Sequence, residues 1–457
     1  MTAKTKAPLI DWKAPAPERD PGLYAGGMRY LVDGKVHRWT GASQAVYSPV
    51  FQPTAKGFER RKLGDCALVD AAVAKEAVAA AAKAYDGGRG AWPTAGVAER
   101  VACLEDFLKR MEANRLEIAK LLCWEIAKPW ADSLAEVDRT VAYGRDTAVA
   151  LKALERESAR FALDGGFLAQ VRRSPFGVAL CMGPYNYPLN ETFATLLPAL
   201  VMGNTVVVKL PRLGVLCTMP LLDAFAASFP PGVVNVLPGE GSVVVTPVIE
   251  SGEVDILAFI GSAKVANVLK RKHPNPNRLR SVLGLGAKNP AIVLKDADPA
   301  EAAKECLSGA LSFNGQRCTA LKILFVHRSI ADQFVAELTA GMEKLKAGMP
   351  YEDGVALTPL PEAGAVDKMT GYLADAKAKG AKVYGDRAGE TEQTFFQPAV
   401  VYPVKKGMKL WSEEQFGPVV AVAPFNEQSE ALDWLTESHY VQQASLFTRD
   451  AAAAGPL

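Results

Sequence analysis

Histidine is scarce in this sequence: His37, His273, His327 and His439 are the only four in 457 residues, and they are widely spaced. No histidine cluster suggests a metal site, and a Cys–His dyad could arise only through folding. Paired cysteines are also missing. Cys66, Cys103, Cys123, Cys181, Cys217, Cys306 and Cys318 stand singly, without zinc-type spacing or a disulfide framework. This predicts a reducing, cytoplasmic compartment. Neither sign of charge dominates: 52 basic and 50 acidic residues leave a net +2, so no bulk field draws in nucleic acid or an anionic membrane. No apolar run reaches the roughly 20 residues of a membrane span. Residues 1–21 mix acids, bases and prolines as no leader peptide does. A soluble chain is expected, with residues 1–25 as a loose tail.

With 49% hydrophobic and 22% charged residues, the chain has the composition of a globular protein of two or three domains. Residues 30–39 read as a hairpin turning at Asp33-Gly34. Helical spacing follows over 67–85, 97–127 and 132–153. Alternation around Gly165-Gly166 then predicts a hairpin over 161–171 whose open edges suit another chain, hence an oligomer contact. Apolar runs at 177–182, 204–210, 233–237 and 256–261 are each followed by a helical stretch long enough for a parallel crossover. A second series has strands at 291–294, 321–326, 395–402 and 419–425, with helices at 299–311, 329–345 and 362–379. The fold class is α/β, with two doubly wound domains joined near 281–288.

The stretch that suggests chemistry is Phe313-Asn314-Gly315-Gln316-Arg317-Cys318-Thr319-Ala320, on a loop between helix and strand patterns. A lone cysteine is as readily an inert core residue as a nucleophile. The polar neighbours of Cys318, and Arg317 as a cation favouring a thiolate, point to the nucleophile.

Four motifs carry a resemblance: Gly183-Pro184-Tyr185-Asn186-Tyr187-Pro188, Phe259-Ile260-Gly261-Ser262, Gly315 to Ala320, and Glu413-Glu414-Gln415-Phe416-Gly417-Pro418. In this order and spacing the chain resembles the aldehyde dehydrogenase superfamily from about residue 30 to its last residue. It looks most like the non-phosphorylating, NADP-dependent glyceraldehyde-3-phosphate dehydrogenases, through Glu125 to Pro129, Glu136 to Thr140, Asn186 to Asn190 and Arg317. The resemblance implies Cys318 as nucleophile and Asn186 as oxyanion donor. It implies Arg139, Tyr187 and Arg317 as substrate contacts, and Pro184, Lys209, Arg212, Gly241, Gly261, Ser262, Glu414 and Phe416 around NADP, with NAD possible. Several of these residues have plainer readings: Asn186 as a turn residue, Ser262 as a helix N-cap, and Arg139 and Arg212 as solvated charges. Arginine at 212 suits a 2′-phosphate, where NAD-preferring relatives often carry glutamate. The resemblance also implies residues 26–153 and 177–284 as a cofactor-binding domain, 154–176 as an oligomerisation hairpin and 285–457 as a catalytic domain. The expected oligomer is a homo-oligomer or a subunit of a larger assembly.

Two departures stand out. Gly284 in Gly284-Leu285-Gly286-Ala287-Lys288 occupies the position of the family's general-base glutamate, and the family continues beyond Leu457. Three functions stay open: a dehydrogenase for glyceraldehyde 3-phosphate, a catalytically impaired relative with a structural role, and an enzyme passing its thioester to coenzyme A.

Overall fold

The structure, a computed structural model, describes residues 7–16, 18–438 and 441–455. The first six residues of the expected tail and His439 lie outside the described residues.

Two-residue alternation builds the first sheet. In the strand Val178–Met182, Val178 and Leu180 enter one core while Ala179 and Cys181 enter another, and Val207 against Val206 and Val208 repeats the pattern one strand over. A strand buried on both faces needs helices on both sides. Trp130–Ser158 and Asn190–Val201 cover one face; Ala71–Tyr85, Gly241–Glu250 and Ala263–Lys272 cover the other. The strand order is Arg280–Gly284, Val254–Ile260, Val178–Met182, Thr205–Lys209, Val234–Leu237, Arg29–Val32 and Lys35–Arg38. The first five strands are parallel and the last two form the expected antiparallel hairpin.

The second sheet follows the same rule. Ile323 and Phe325 of Leu321–His327 face one core, Leu324 and Val326 the other. Its order is Lys382–Tyr384, Ala399–Tyr402, Val419–Phe425, Leu321–His327, Asn289–Val293 and Ser445–Phe447, parallel except for the first. The two sheets make the mixed α/β architecture expected from the sequence.

The structure corrects several local expectations. The tail is anchored within its described residues: Ile10 and Trp12 are buried, and the Leu9 N–H and Trp12 indole N–H both donate to the Glu392 carboxylate. Arg61 pairs with Asp20 and stacks on Trp124. Prolines hid this docking because they signal loops without saying what a loop packs against. The presumed linker begins with a strand, since Arg280–Gly284 pairs in parallel with Val254–Ile260. The expected strand 395–402 divides at Pro398, which has no N–H for a ladder: Phe395–Phe396 pairs with Thr391–Glu392, and Ala399–Tyr402 joins the large sheet. A long ribbon, Ser43–Thr54 against Gly57–Ala67, went unforeseen. The predicted hairpin forms from Ala162–Asp164 and Phe167–Ala169, with Leu163 and Phe167 each 77% exposed.

Candidate active site

The cysteine loop takes its shape from three consecutive left-handed residues, Phe313 (φ 49°), Asn314 (φ 56°) and Gly315 (φ 70°). Such backbone persists only where side chains over-determine it. Here the Asn314 amide donates to the Thr358 carbonyl and hydroxyl, its oxygen accepts the Thr358 N–H at 3.0 Å, and the Thr358 hydroxyl donates to the Ala127 carbonyl. Gly315 has no room for a side chain, because a Cβ would lie 2.7 Å from the Ala310 carbonyl oxygen. Beyond Cys318, Asn289 donates to the Cys318 and Ala320 carbonyls and fixes the exit into Leu321–His327.

Asn186 is buried and donates one amide hydrogen to the Gln316 carbonyl at 2.8 Å, two residues before the cysteine. An asparagine amide has two hydrogens, so the second is left to donate elsewhere. The segment carrying Asn186 is held from beneath by Glu136, whose carboxylate accepts the Leu189 and Asn190 N–H groups and pairs with Lys128. Lys128 and Glu136 are wholly buried, and the Lys128 ammonium lies 3.4 Å from the Tyr187 ring centre. Tyr187 in turn meets Phe313 edge-on. Burial pulls the Lys128 pKa down and Glu136 pushes it back up. The sequence reading missed this brace. Its signal was a glutamate on the helix face that also carries Val137, Thr140 and Val141.

Burial pushes the Cys318 thiol up; the Glu191 charge adds to the rise, and the Thr319 N–H and Lys322 oppose it. Lys322 is the cation whose charge most opposes that rise, and the sequence reading had weighed only Arg317 for this role. A lysine inside the apolar strand Leu321–His327 was the available clue. Lys322 is buried, donates to the Gly315 carbonyl at 2.9 Å, lies over the Phe416 ring and has its pKa pulled down to about 8 by desolvation, with Glu414 opposing. Lys288 is buried beside it and donates to Gln415 at 2.8 Å.

A cavity of 630 Å³ lies between the first sheet and the ribbon, lined among others by Gly183, Tyr185, Arg212, Gly239, Glu240 and Glu362. Lys209, at its strand end, is buried; desolvation lowers its pKa, Glu240 raises it, and Arg212 adds a further lowering. The structure thus brings Lys209 and Arg212 together, with Glu240 as a carboxylate the sequence reading did not foresee. Pro184 sits between the lining residues Gly183 and Tyr185. Gly241 is not part of this lining: it opens the helix Gly241–Glu250 with open space at its Cβ position. The Gly261 N–H is occupied by the Gly284 carbonyl at 2.9 Å, and Ser262 caps Ala263–Lys272 through the Val265 N–H. Gly284 ends its strand opposite Ile260; a Cβ there would lie 3.1 Å from an Ile260 side-chain carbon. On the substrate side, Arg317 and Arg139 both lower the pKa of Tyr187, whose burial raises it, so the three expected contacts share one neighbourhood. Arg139 itself is exposed and donates to the Ala135 carbonyl.

The aldehyde dehydrogenase family profile matches residues 39–456. The chain belongs to the aldehyde dehydrogenase family. Among curated relatives it is 35% identical over 365 residues to an NADP-dependent glyceraldehyde-3-phosphate dehydrogenase of Streptococcus equinus, covering 79% of this chain and 75% of the relative. It is 31% identical over 382 residues to a chloroplastic aminoaldehyde dehydrogenase of Arabidopsis thaliana, covering 82% and 76%. The crystal structure of the Bacillus halodurans C-125 NADP-dependent glyceraldehyde-3-phosphate dehydrogenase complexed with NADP superposes with a TM-score of 0.84 at 31% identity, over 94% of this chain and 87% of that one. A P. syringae indole-3-acetaldehyde dehydrogenase in complex with NAD+ gives 0.85 at 29%, over 97% and 87%.

Aldehyde dehydrogenases use nicotinamide dinucleotides, and one feature of this chain fits such a group. The Glu414 Oε1 oxygen is buried without a hydrogen-bond partner, with Lys322 3.7 Å away. A buried carboxylate oxygen calls for a donor, and a ribose hydroxyl is one. Burial raises the Glu414 pKa, with Lys322 the strongest opposing charge. Phe416, in a left-handed conformation at φ 47°, stands edge-on to Tyr185.

Proposed function

We propose that the chain oxidises glyceraldehyde 3-phosphate, or a closely related phosphorylated aldehyde, to the carboxylate with NADP, through a thioester on Cys318. The observation that carries this reading is the 2.8 Å hydrogen bond from Asn186 to the Gln316 carbonyl, which ties the amide donor to the nucleophile's own loop. Addition of the Cys318 thiolate to the aldehyde carbon puts negative charge on the carbonyl oxygen. The remaining Asn186 hydrogen and the Cys318 backbone N–H stabilise that oxyanion, and a fixed donor of this kind contributes about 3 kcal/mol. Bound NADP would supply the hydride acceptor, and Cys318 would then carry the substrate as an acyl group on its sulfur. Glu414 and Phe416 would hold the nicotinamide end of NADP, and Lys209 and Arg212 would hold the adenosine ribose and its 2′-phosphate. Arg317, Arg139 and Tyr187 meet the substrate phosphate and hydroxyl. In this reading residues 26–153 and 177–284 bind the cofactor, residues 285–457 carry the thiol, and the exposed hairpin is an oligomer contact in a cytoplasmic enzyme.

Gly284 favours a second reading, a chain that acylates but cannot turn over. Its position carries no carboxylate, and general bases contribute about a hundredfold to ten-thousandfold. Steady-state NADPH formation from glyceraldehyde 3-phosphate separates the two: sustained turnover supports the first, and a signal that stops at one equivalent per chain supports the second. Faster turnover with an aminoaldehyde than with the phosphorylated aldehyde would remove the substrate assignment.

A further inference from the structure

Asn186 and Cys318 sit on loops from distant parts of the chain, and both loops converge on a third segment. Residues 126–129 link the helices Arg115–Glu125 and Trp130–Ser158, and both ends of the link are pinned. The buried Glu125 carboxylate accepts the Val215 and Leu216 N–H groups at 2.9 Å, and the Trp130 N–H donates to the Pro350 carbonyl at 2.7 Å. Between these anchors Ala127 is left-handed at φ 50°, and its carbonyl accepts the Thr358 hydroxyl at 2.7 Å. Thr358 in turn holds Asn314 of the cysteine loop. The next residue along the link is the wholly buried Lys128, which reaches both loops. Towards Asn186, one Glu136 oxygen pairs with the Lys128 ammonium, while the other accepts the Leu189 and Asn190 N–H groups at 3.1 and 3.2 Å. The same ammonium lies 3.4 Å from the ring centre of Tyr187, the residue after Asn186. Towards Cys318, it lies 4.7 Å from the ring centre of Phe313, which is itself left-handed at φ 49°. A buried cation over two aromatic rings is attracted to the electron-rich face of each. One charge therefore links the two loops.

We propose that Lys128 is a positioning residue for thioester formation, setting the Asn186 amide against the Cys318 loop and acting on the reaction through that donor; the inference rests on the thioester reading above. Addition of the thiolate to a carbonyl carbon forms a C–S bond and moves the carbonyl electron pair onto oxygen, where Asn186 donates. Alkylation of the same thiol by iodoacetamide forms a C–S bond at a CH2 carbon as iodide leaves, and no oxyanion develops. Lys128 therefore serves the first reaction and not the second.

The test compares acylation by p-nitrophenyl acetate, read as the rate constant of the nitrophenolate burst, with alkylation by iodoacetamide, read at Cys318 by peptide mass. Removing one partner would strand a buried charge, so Lys128→Met is combined with Glu136→Gln, whose amide oxygen can still accept the Leu189 and Asn190 N–H groups. This neutral pair is expected to slow the burst by about tenfold to a hundredfold and to change alkylation by less than about twofold. In an Asn186→Ala background, where the donor is already gone, the same pair should change the burst rate by less than about twofold. A burst at the original rate, an equal fall in alkylation, or a full additional loss in the Asn186→Ala background would overturn the proposal. Should the neutral pair fail to melt cooperatively, Phe313→Leu takes its place and removes the ring between Lys128 and the cysteine loop. A burst slowed about fivefold with alkylation unchanged then supports the assignment, and an unchanged burst, or alkylation slowed equally, refutes it. A burst absent from the original chain, or one that survives Cys318→Ala, would remove the thioester reading itself and this inference with it.

Discussion

The two halves of the proposed reaction meet at one sulfur but are built very differently. On the side where the thioester forms, almost every polar group is braced: Asn186 on Gln316, Asn314 on Thr358, Lys322 on Gly315, and Glu136 beneath the turn that leads into Asn190–Val201. On the side where water enters, the strand Arg280–Gly284 ends in a residue without a side chain, and the atoms nearest to where its Cβ would stand belong to the aliphatic Ile260. Bracing of the first kind preorganises dipoles for charge that develops in the transition state. The second side has nothing comparable on its strand. The contrast shows that the two half-reactions can be altered separately even though they share a nucleophile.

The strongest way to break the contrast is Cys318→Ala, which is expected to abolish NADPH formation and the acyl burst together; retained activity would remove the nucleophile. Asn186→Ala should lower the acylation rate by about a hundredfold to a thousandfold, measured as the burst rate constant, with hydrolysis of preformed acyl-enzyme slowed as well. Gly284→Glu restores a carboxylate on the water side and should raise steady turnover by about a hundredfold; a gain below about tenfold would mean that another group already serves the step. Arg212→Glu replaces the cation proposed to meet a 2′-phosphate with an anion and should weaken NADP relative to NAD by about tenfold or more in kcat/KM. Lys322→Met removes the cation that lowers the thiol's pKa. Less thiolate would then be present near pH 8, where the Lys322 ammonium itself is about half protonated. Alkylation of Cys318 by iodoacetamide should slow several-fold at pH 7, and the difference should shrink as the pH rises above 8 and the lysine in the original chain loses its proton.

Much of the fold was legible in the sequence because strands covered on both faces read as short continuous apolar runs, as Val178 to Cys181 and Ile323 to Val326 show. The docked segment around Ile10 and Trp12 was not, since what holds it, Glu392, lies far along the chain. The site divides in the same way. Cys318, Asn186 and Glu414 were readable from motifs in fixed order. Lys322 and the Lys128–Glu136 pair were not singled out for a role, because their contribution depends on burial and on contacts between separate elements. The Gly261 hydrogen bond to the Gly284 carbonyl and the place of Gly241 outside the cavity lining are local geometry that only the fold supplies.

The most direct test of the central claim is rapid-mixing absorbance of NADPH after glyceraldehyde 3-phosphate and NADP are added to the purified chain. The account predicts a fast phase of up to one equivalent per chain, absent from Cys318→Ala, followed by slower sustained turnover. No fast phase and no turnover, with the chain folded and the Cys318 thiol free, would contradict it.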